Sequence, residues 1–287
     1  MVIQHNIPAI NSYRNMSKNT SALNKNLEKL SSGYKINKAG DDAAGLAISE
    51  SMRNKINALD QAEANANDAI GLIQTTEGAL TETHAMLERM TTLATQAANG
   101  TYATTEGAGK AEKGYGASLT ARKNIQEEVN ALASEISRIA SSTDYNGINL
   151  LTNTSTKQFQ IGPTAAEKIS VTGSIMTASN LIKEININTA MMTVTKANTA
   201  ITKIKDAVES VSKYRAKLGA TQNRLEHTIN NLKVANENTT AAESRIRDTD
   251  MAKEISAYTK NNILNQAAQS MLAQANQSPQ GVLSLLG

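Results

Sequence analysis

The chain has 287 residues, 29 Lys and Arg against 26 Asp and Glu for a net charge of +3, and no cysteine. The missing thiols exclude a disulfide framework, thiolate catalysis and Cys-ligated metal centres, and three His leave little for a His-based site. Seven Tyr, one Phe and no Trp argue against a bulky globular core, a carbohydrate cleft or a base-stacking surface, and so small a net charge does not signal nucleic acid.

Few Pro and Gly, with abundant Ala, Asn, Thr, Gln and Ser, predict long helices packed through small side chains. The N-terminus has no cationic start followed by an apolar run, so no signal peptide of that type is expected. A cytoplasmic protein and one exported by a route that reads an uncleaved polar N-terminus both leave that pattern. No apolar stretch approaches the roughly 20 residues of a membrane span.

Pro8 suits a first helical turn, and Ile10, Tyr13, Met16, Leu23, Leu27, Leu30 and Tyr34 follow in an intermittent apolar stripe. This helix is expected to stop near Gly33. After a connector, Asp41 and Asp42 both read as N-caps. In the next helix Met52, Leu59, Ala66, Ile73, Leu80, Leu87 and Ala94 recur every seventh residue. Ile48, Ala62, Ala69, Met90 and Ala97 form a second seam, interrupted by Thr76 and Thr83. A sustained heptad predicts coiled-coil-like pairing. Residues 42–98 would span about 85 Å as one helix.

Asn99-Gly100 breaks this pattern, and residues 99–116 read as a Gly-rich irregular loop. Ile125, Val129, Leu132, Ile136 and Ile139 then predict a helix that ends at the turn residues Asp144, Asn146 and Gly147. Phe159 and Ile161, then Ile169 and Val171, alternate with polar residues across Gly162-Pro163 and predict a β-hairpin over 157–175. Residues 176–193 fit no single element.

Heptads return with Ile204, Val211, Leu218, Leu225 and Leu232, flanked by Ile201, Val208 and Ile229. A last helix carries Ile255, Tyr258, Ala268, Met271, Leu272 and Ala275 and is expected to stop before Pro279. The tail Val282, Leu283, Leu285 and Leu286 is apolar and reads as an interaction segment, buried between subunits or held by a chaperone. The fold expected is mainly α: a long antiparallel coiled-coil-like helical rod with one small hairpin, its two termini pairing as helices.

No catalytic constellation appears. His5, His84 and His227 are far apart and form no HExxH pair. Asp248 and Asp250 in RDTD read as caps rather than metal ligands. Gly107-Ala108-Gly109-Lys110 lacks the earlier glycine and the following Ser/Thr of a phosphate loop. Asn99-Gly100-Thr101 has the shape of a glycosylation sequon and is read as chance.

LEKLSSGYKINKAGDDAAGLAISESMR (Leu27 to Arg53) and ANANDAIGLIQTTEGAL (Ala64 to Leu80) resemble the N-terminal signature of the bacterial flagellins. LGATQNRLEHTINNL, SRIRDTDMAKEIS and NQAAQSMLAQANQSPQGVLSLLG resemble the C-terminal one. The resemblance implies a structural subunit that polymerises into the flagellar filament for motility, with no enzymatic activity and no cofactor or metal. It implies an inner filament domain from residues 1–40 and 244–287, a rod-like domain from 41–243, and no outer variable domains. The partners it implies are copies of the chain, a secretion chaperone and the flagellar export apparatus, and filament cap and junction proteins. It implies neither nucleic-acid binding nor membrane insertion. The location implied is the extracellular flagellum, reached without a cleaved signal. A hook–filament junction protein is the alternative, which the ending NQSPQGVLSLLG disfavours.

The resemblance also implies recognition by the animal Toll-like flagellin receptor through Arg89, Leu93 and Glu128. Arg89 and Leu93 are four residues apart and so share a helix face. Thr91 and Thr92 depart from the charged residues of many receptor-active members. The connection from Gly100 to Gly116 exceeds the family's usual length by roughly fifteen residues, more than an ordinary helix–helix connection.

Overall fold

A computed structural model of the chain describes residues 6–101, 116–183 and 189–286, with side chains except at 116–119 and 278–286. The elements are α1 (Ile7–Ser32), α2 (Ala43–Ala98), α3 (Gly116–Ser142), β1 (Thr156–Gln160), β2 (Lys168–Thr172), α4 (Ala178–Leu181), α5 (Val194–Arg247) and α6 (Met251–Leu286). The protein is mainly helical, with long helices and one antiparallel two-stranded hairpin among the described residues. It divides into a terminal unit, Met1–Asn57 with Asn236–Gly287, and a central unit, Ala58–Ala235. Most of the Gly-rich loop, residues 102–115 with Gly107 to Lys110, lies outside the described residues, as does His5.

In the central unit the heptads of α2 become the core. Leu59, Ala66, Ile73, Leu80, Leu87 and Ala94 are buried, as are Ala62, Ala69, Met90 and Ala97. Each fully buried Leu or Ile contributes roughly 1.5–3 kcal/mol. Thr76 and Thr83 sit in the same seam because each hydroxyl donates to the carbonyl four residues back, Leu72 at 2.8 Å and Ala79 at 2.9 Å. A buried polar group so satisfied is tolerated.

Helix α5 runs antiparallel to α2 here, since Glu63 pairs with Lys233 while Glu77 pairs with Arg215. Its buried positions from Ala197 to Thr221 (Ala197, Ala200, Ile204, Ala207, Val211, Tyr214, Leu218 and Thr221) alternate in steps of three and four, and Leu225, Ile229 and Leu232 continue them. Ile201 and Val208, expected beside the seam, lie half-buried at its edge. The buried positions beside them go to the small side chains Ala200 and Ala207. Helix α3 covers the pair with Ile125, Val129, Ala133, Ile136 and Ala140.

After α3, Asn146 (φ 51°) and Gly147 (φ 73°) form a two-residue turn bridged by Tyr145 and Ile148. Positive φ at both centres is the type I′ turn that Asn-Gly favours. The hairpin pairs Thr156 with Thr172 through Gln160 with Lys168 and buries Ile169 and Val171. It is pinned from two sides. The Asn65 amide donates to the Gln160 carbonyl (3.0 Å), and the Tyr214 hydroxyl donates to the Thr172 carbonyl (3.2 Å). Burial pushes the Tyr214 phenol up to about 12.

The described part of residues 176–193, unassigned from sequence, holds α4 and several buried apolar side chains. Met176, Ala178, Ile182, Ala190 and Met191 all join the core. The Gln126 side chain accepts from the Met191 amide (2.8 Å) in place of a regular element.

Candidate functional site

In the terminal unit α1 and α6 pack antiparallel. The Asn261 amide donates to Asn26 at 3.1 Å, and the Asn6 amide donates to the Ala275 carbonyl at 2.8 Å. Helix α1 starts at the Asn6 cap, whose side-chain oxygen accepts from the Ala9 amide (3.1 Å). It ends on left-handed Gly33 (φ 76°), the conformation a glycine C-cap serves. Asp42 caps α2 by accepting from the Gly45 amide (2.9 Å). Asp41, expected as a second cap, instead accepts from the amides of Asn37 and Lys38 and closes the preceding loop. Those two bonds hold its carboxyl below the usual carboxylate range. A Cβ at Gly45 would lie 2.5 Å from the Asp42 carboxylate and 2.8 Å from the end of Ile36, so a larger residue there would push both side chains aside. Asp250 caps α6 through the amides of Ala252 and Lys253.

Helix α6 does not stop before Pro279; it continues to Leu286. A proline at 279 has no N–H to offer the Ala275 carbonyl. The Asn6 amide supplies the missing donor to that carbonyl, which removes one cost of an internal proline. The side chains of Val282, Leu283, Leu285 and Leu286 lie outside the described residues.

The terminal unit scarcely has a core of its own. Among the described residues Ile36 is its one buried apolar side chain, and the buried residue of α1 is the polar Asn26. Its large apolar side chains face outward instead: Tyr13 is 61 % exposed, Ile263 59 % and Met271 62 %, and Ile7, Ile10, Leu27, Ile48 and Ile255 are exposed too. Ile48, expected in a heptad seam, is exposed because that seam is covered only in the central unit. In the described central unit, Val234 is the one large apolar side chain comparably exposed. Apolar exposure on this scale marks an interaction surface.

The two loops of the terminal unit meet in a joint that sequence reasoning missed. Tyr34 bridges Asp248, the Lys35 amide donates to the Arg247 carbonyl (2.6 Å), and the Thr249 amide donates to the Gly33 carbonyl (2.9 Å). The Arg247 guanidinium lies 4.5 Å from the Tyr34 ring centroid and donates to Glu50 at 2.9 Å. That hydrogen bond is the main cause holding the Glu50 carboxyl below its ordinary value of 4.5. An Arg three residues before a capping Asp was the available signal, but nothing local marks its distant partners. Arg247→Ala is expected to speed amide exchange at Lys35 and Thr249 about tenfold, equivalent to roughly 1.4 kcal/mol of lost protection. Unchanged exchange would mean the bridge stands without the guanidinium. A depressed acid pKa stabilises above the ordinary value, so the same protection should weaken as pH falls below 4.5.

The residues singled out on α2 and α3 are partly brought together. The Arg89 guanidinium, 54 % exposed, pairs with Glu128 at 2.7 Å and 2.8 Å through two nitrogens. Leu93, expected on the same accessible face, is only 2 % exposed and belongs to the core. A four-residue step turns it toward the buried seam beside Met90 and Ala94, while the longer Arg89 reaches solvent. The hydroxyls of Thr91 and Thr92 donate back to their own helix, to Leu87 and Glu88.

Residues 3–156 match the family model of the bacterial flagellin N-terminal helical region, and residues 201–286 match that of the C-terminal helical region. The chain is 50 % identical to a flagellin of Bacillus subtilis and 49 % identical to one of Halalkalibacterium halodurans, with the whole of each chain covered. A 33 kDa flagellar filament core protein of Treponema phagedenis is 42 % identical over the whole of both chains. A solved putative flagellar hook-associated protein from Vibrio parahaemolyticus matches 72 % of this chain and all of its own, at a TM-score of 0.58 and 12 % identity, a likeness of fold alone. The family is structural, and this protein is not an enzyme. With both terminal models matched and half of all positions shared along the full length, the chain belongs to the bacterial flagellin family.

Proposed function

We propose that this subunit of the flagellar filament polymerises through the exposed apolar faces of its α1/α6 pair. The observation that carries this is the inverted layout of the terminal unit, with apolar side chains outside and Asn26 inside. Two helices with so little buried area are marginal alone and gain their stability from contacts with copies. Such contacts are heterologous and do not close into a ring, so they generate a helical filament.

Residues 1–40 and 244–287 then form the inner filament domain, and 41–243 the adjoining rod-like domain. Polymerisation outside the cell requires the flagellar export apparatus and a secretion chaperone, with cap and junction proteins at the filament ends. The apolar tail from Val282 to Leu286 contributes to the same inner contacts. A hook–filament junction role is the alternative. Seeded growth separates the two, because a filament subunit elongates seeds into long regular filaments and a junction protein does not.

A second reading concerns the animal Toll-like flagellin receptor. The paired, exposed Arg89 and Glu128 support it, with buried Leu93 acting from beneath by fixing the helix position. Arg89→Ala is expected to cost about 1–3 kcal/mol of receptor affinity, the scale of an effective interface residue. Titration calorimetry against the receptor ectodomain would check this. Equal affinities would remove the pair from the interface.

A further inference from the structure

We infer that a cleft on the central unit, between α2, the Tyr145–Ile148 turn and β1, is a binding site for a neutral disaccharide. The cleft encloses about 370 Å³, within the range of small-molecule pockets. Two devices hold its walls. The type I′ turn at Asn146-Gly147 is closed by the Tyr145–Ile148 bridge, and β1 is tied to α2 by the Asn65–Gln160 bond. The Tyr145 ring lies against the α2 backbone, where a Cβ at Gly71 would come within 3.3 Å of its hydroxyl.

Composition alone argues against a sugar cleft, but the fold concentrates aromatics here. The single Phe of the chain, Phe159, lines the cleft together with Tyr145, above Leu72 and Ile148. These supply an apolar floor for the C–H face of a sugar ring. Around it stand the Asp68 carboxylate, the Tyr145 hydroxyl and the carboxamides of Asn146 and Gln158, none with a side-chain partner among the described residues.

The chemistry of that set selects the ligand. No Lys or Arg lines the cleft, so Asp68 would repel an anion. A cationic group would satisfy the carboxylate and the carboxamide oxygens but would leave the carboxamide N–H groups without an acceptor. A polyol both donates and accepts, so it satisfies the carboxylate, the hydroxyl and both ends of each carboxamide together.

The test is saturation-transfer NMR on the unpolymerised chain with cellobiose, lactose and diacetylchitobiose, and with arginine amide as a cationic probe. Transfer to at least one disaccharide is expected. Its affinity should fall at least tenfold in Asp68→Ala and in Gln158→Ala while the melting temperature holds. Both side chains are exposed and make no hydrogen bond or ion pair among the described residues, so neither substitution removes a polar contact of the fold. Absence of transfer to all three disaccharides would overturn the proposal. Transfer that both substitutions leave intact would place the sugar elsewhere. Binding of arginine amide without any disaccharide would make the cleft a cation site.

Discussion

Leu218→Asp is expected to destabilise the central unit by roughly 3–5 kcal/mol, the cost of an unpaired charge in an apolar seam. Leu218 is fully buried on α5 between Tyr214, Thr221 and Leu225. Arg215, three residues before it on α5, is committed across the helices to Glu77 of α2. The aspartate therefore lacks a ready counter-ion and must either stay charged without solvent or take up a proton. A thermal midpoint lowered by many degrees checks this, and so does a smaller loss at low pH, where the carboxyl is protonated. An unchanged midpoint would mean the seam is not the core of this unit.

Deleting residues 276–287 is expected to abolish filament elongation and leave the central unit's melting unchanged. The deletion removes the end of α6, about three turns, and with it Val282, Leu283, Leu285 and Leu286. All of it belongs to the terminal unit, so none of the central core is touched. The copies would lose apolar area worth several kcal/mol per subunit, at roughly 25 cal/mol per Å². Seeded growth of the truncated chain should fall below detection. Elongation at the full-length rate would show that the tail contributes nothing to assembly.

Much of the fold was legible because heptads were strong where the chain pairs with itself. Leu59 to Ala97 lie in the core on the spacing read from sequence. Gly33, Asn146-Gly147 and Gly162-Pro163 marked their turns because only a few residue types suit those backbones. The terminal helices were harder. Ile10, Tyr13 and Leu27 have the spacing of a seam, but α6 packs on another face of α1, where Asn26 is buried. Periodicity shows that a face will be covered, not whether its partner is the same chain. The helix through Pro279 was illegible for a related reason. The donor for the freed carbonyl comes from Asn6, at the other end of the sequence.

The candidate sites divide in the same way. Arg89 and Glu128 came from resemblance, and their ion pair is present, but spacing alone could not separate the exposed Arg89 from the buried Leu93. The Arg247 joint and the cleft at Phe159 depend on contacts between segments far apart in sequence. Local pattern carries no trace of such contacts.

Seeded elongation of Ile263→Asp tests the central claim most directly. Ile263 is exposed on α6 of the subunit and contacts no core. The substitution should therefore leave the melting of the isolated chain unchanged. If the outward apolar face is the assembly surface, a buried charge there should stop growth from seeds or raise the critical concentration at least a hundredfold, the equivalent of about 2.8 kcal/mol. Filaments growing at the unsubstituted rate and concentration would contradict the account.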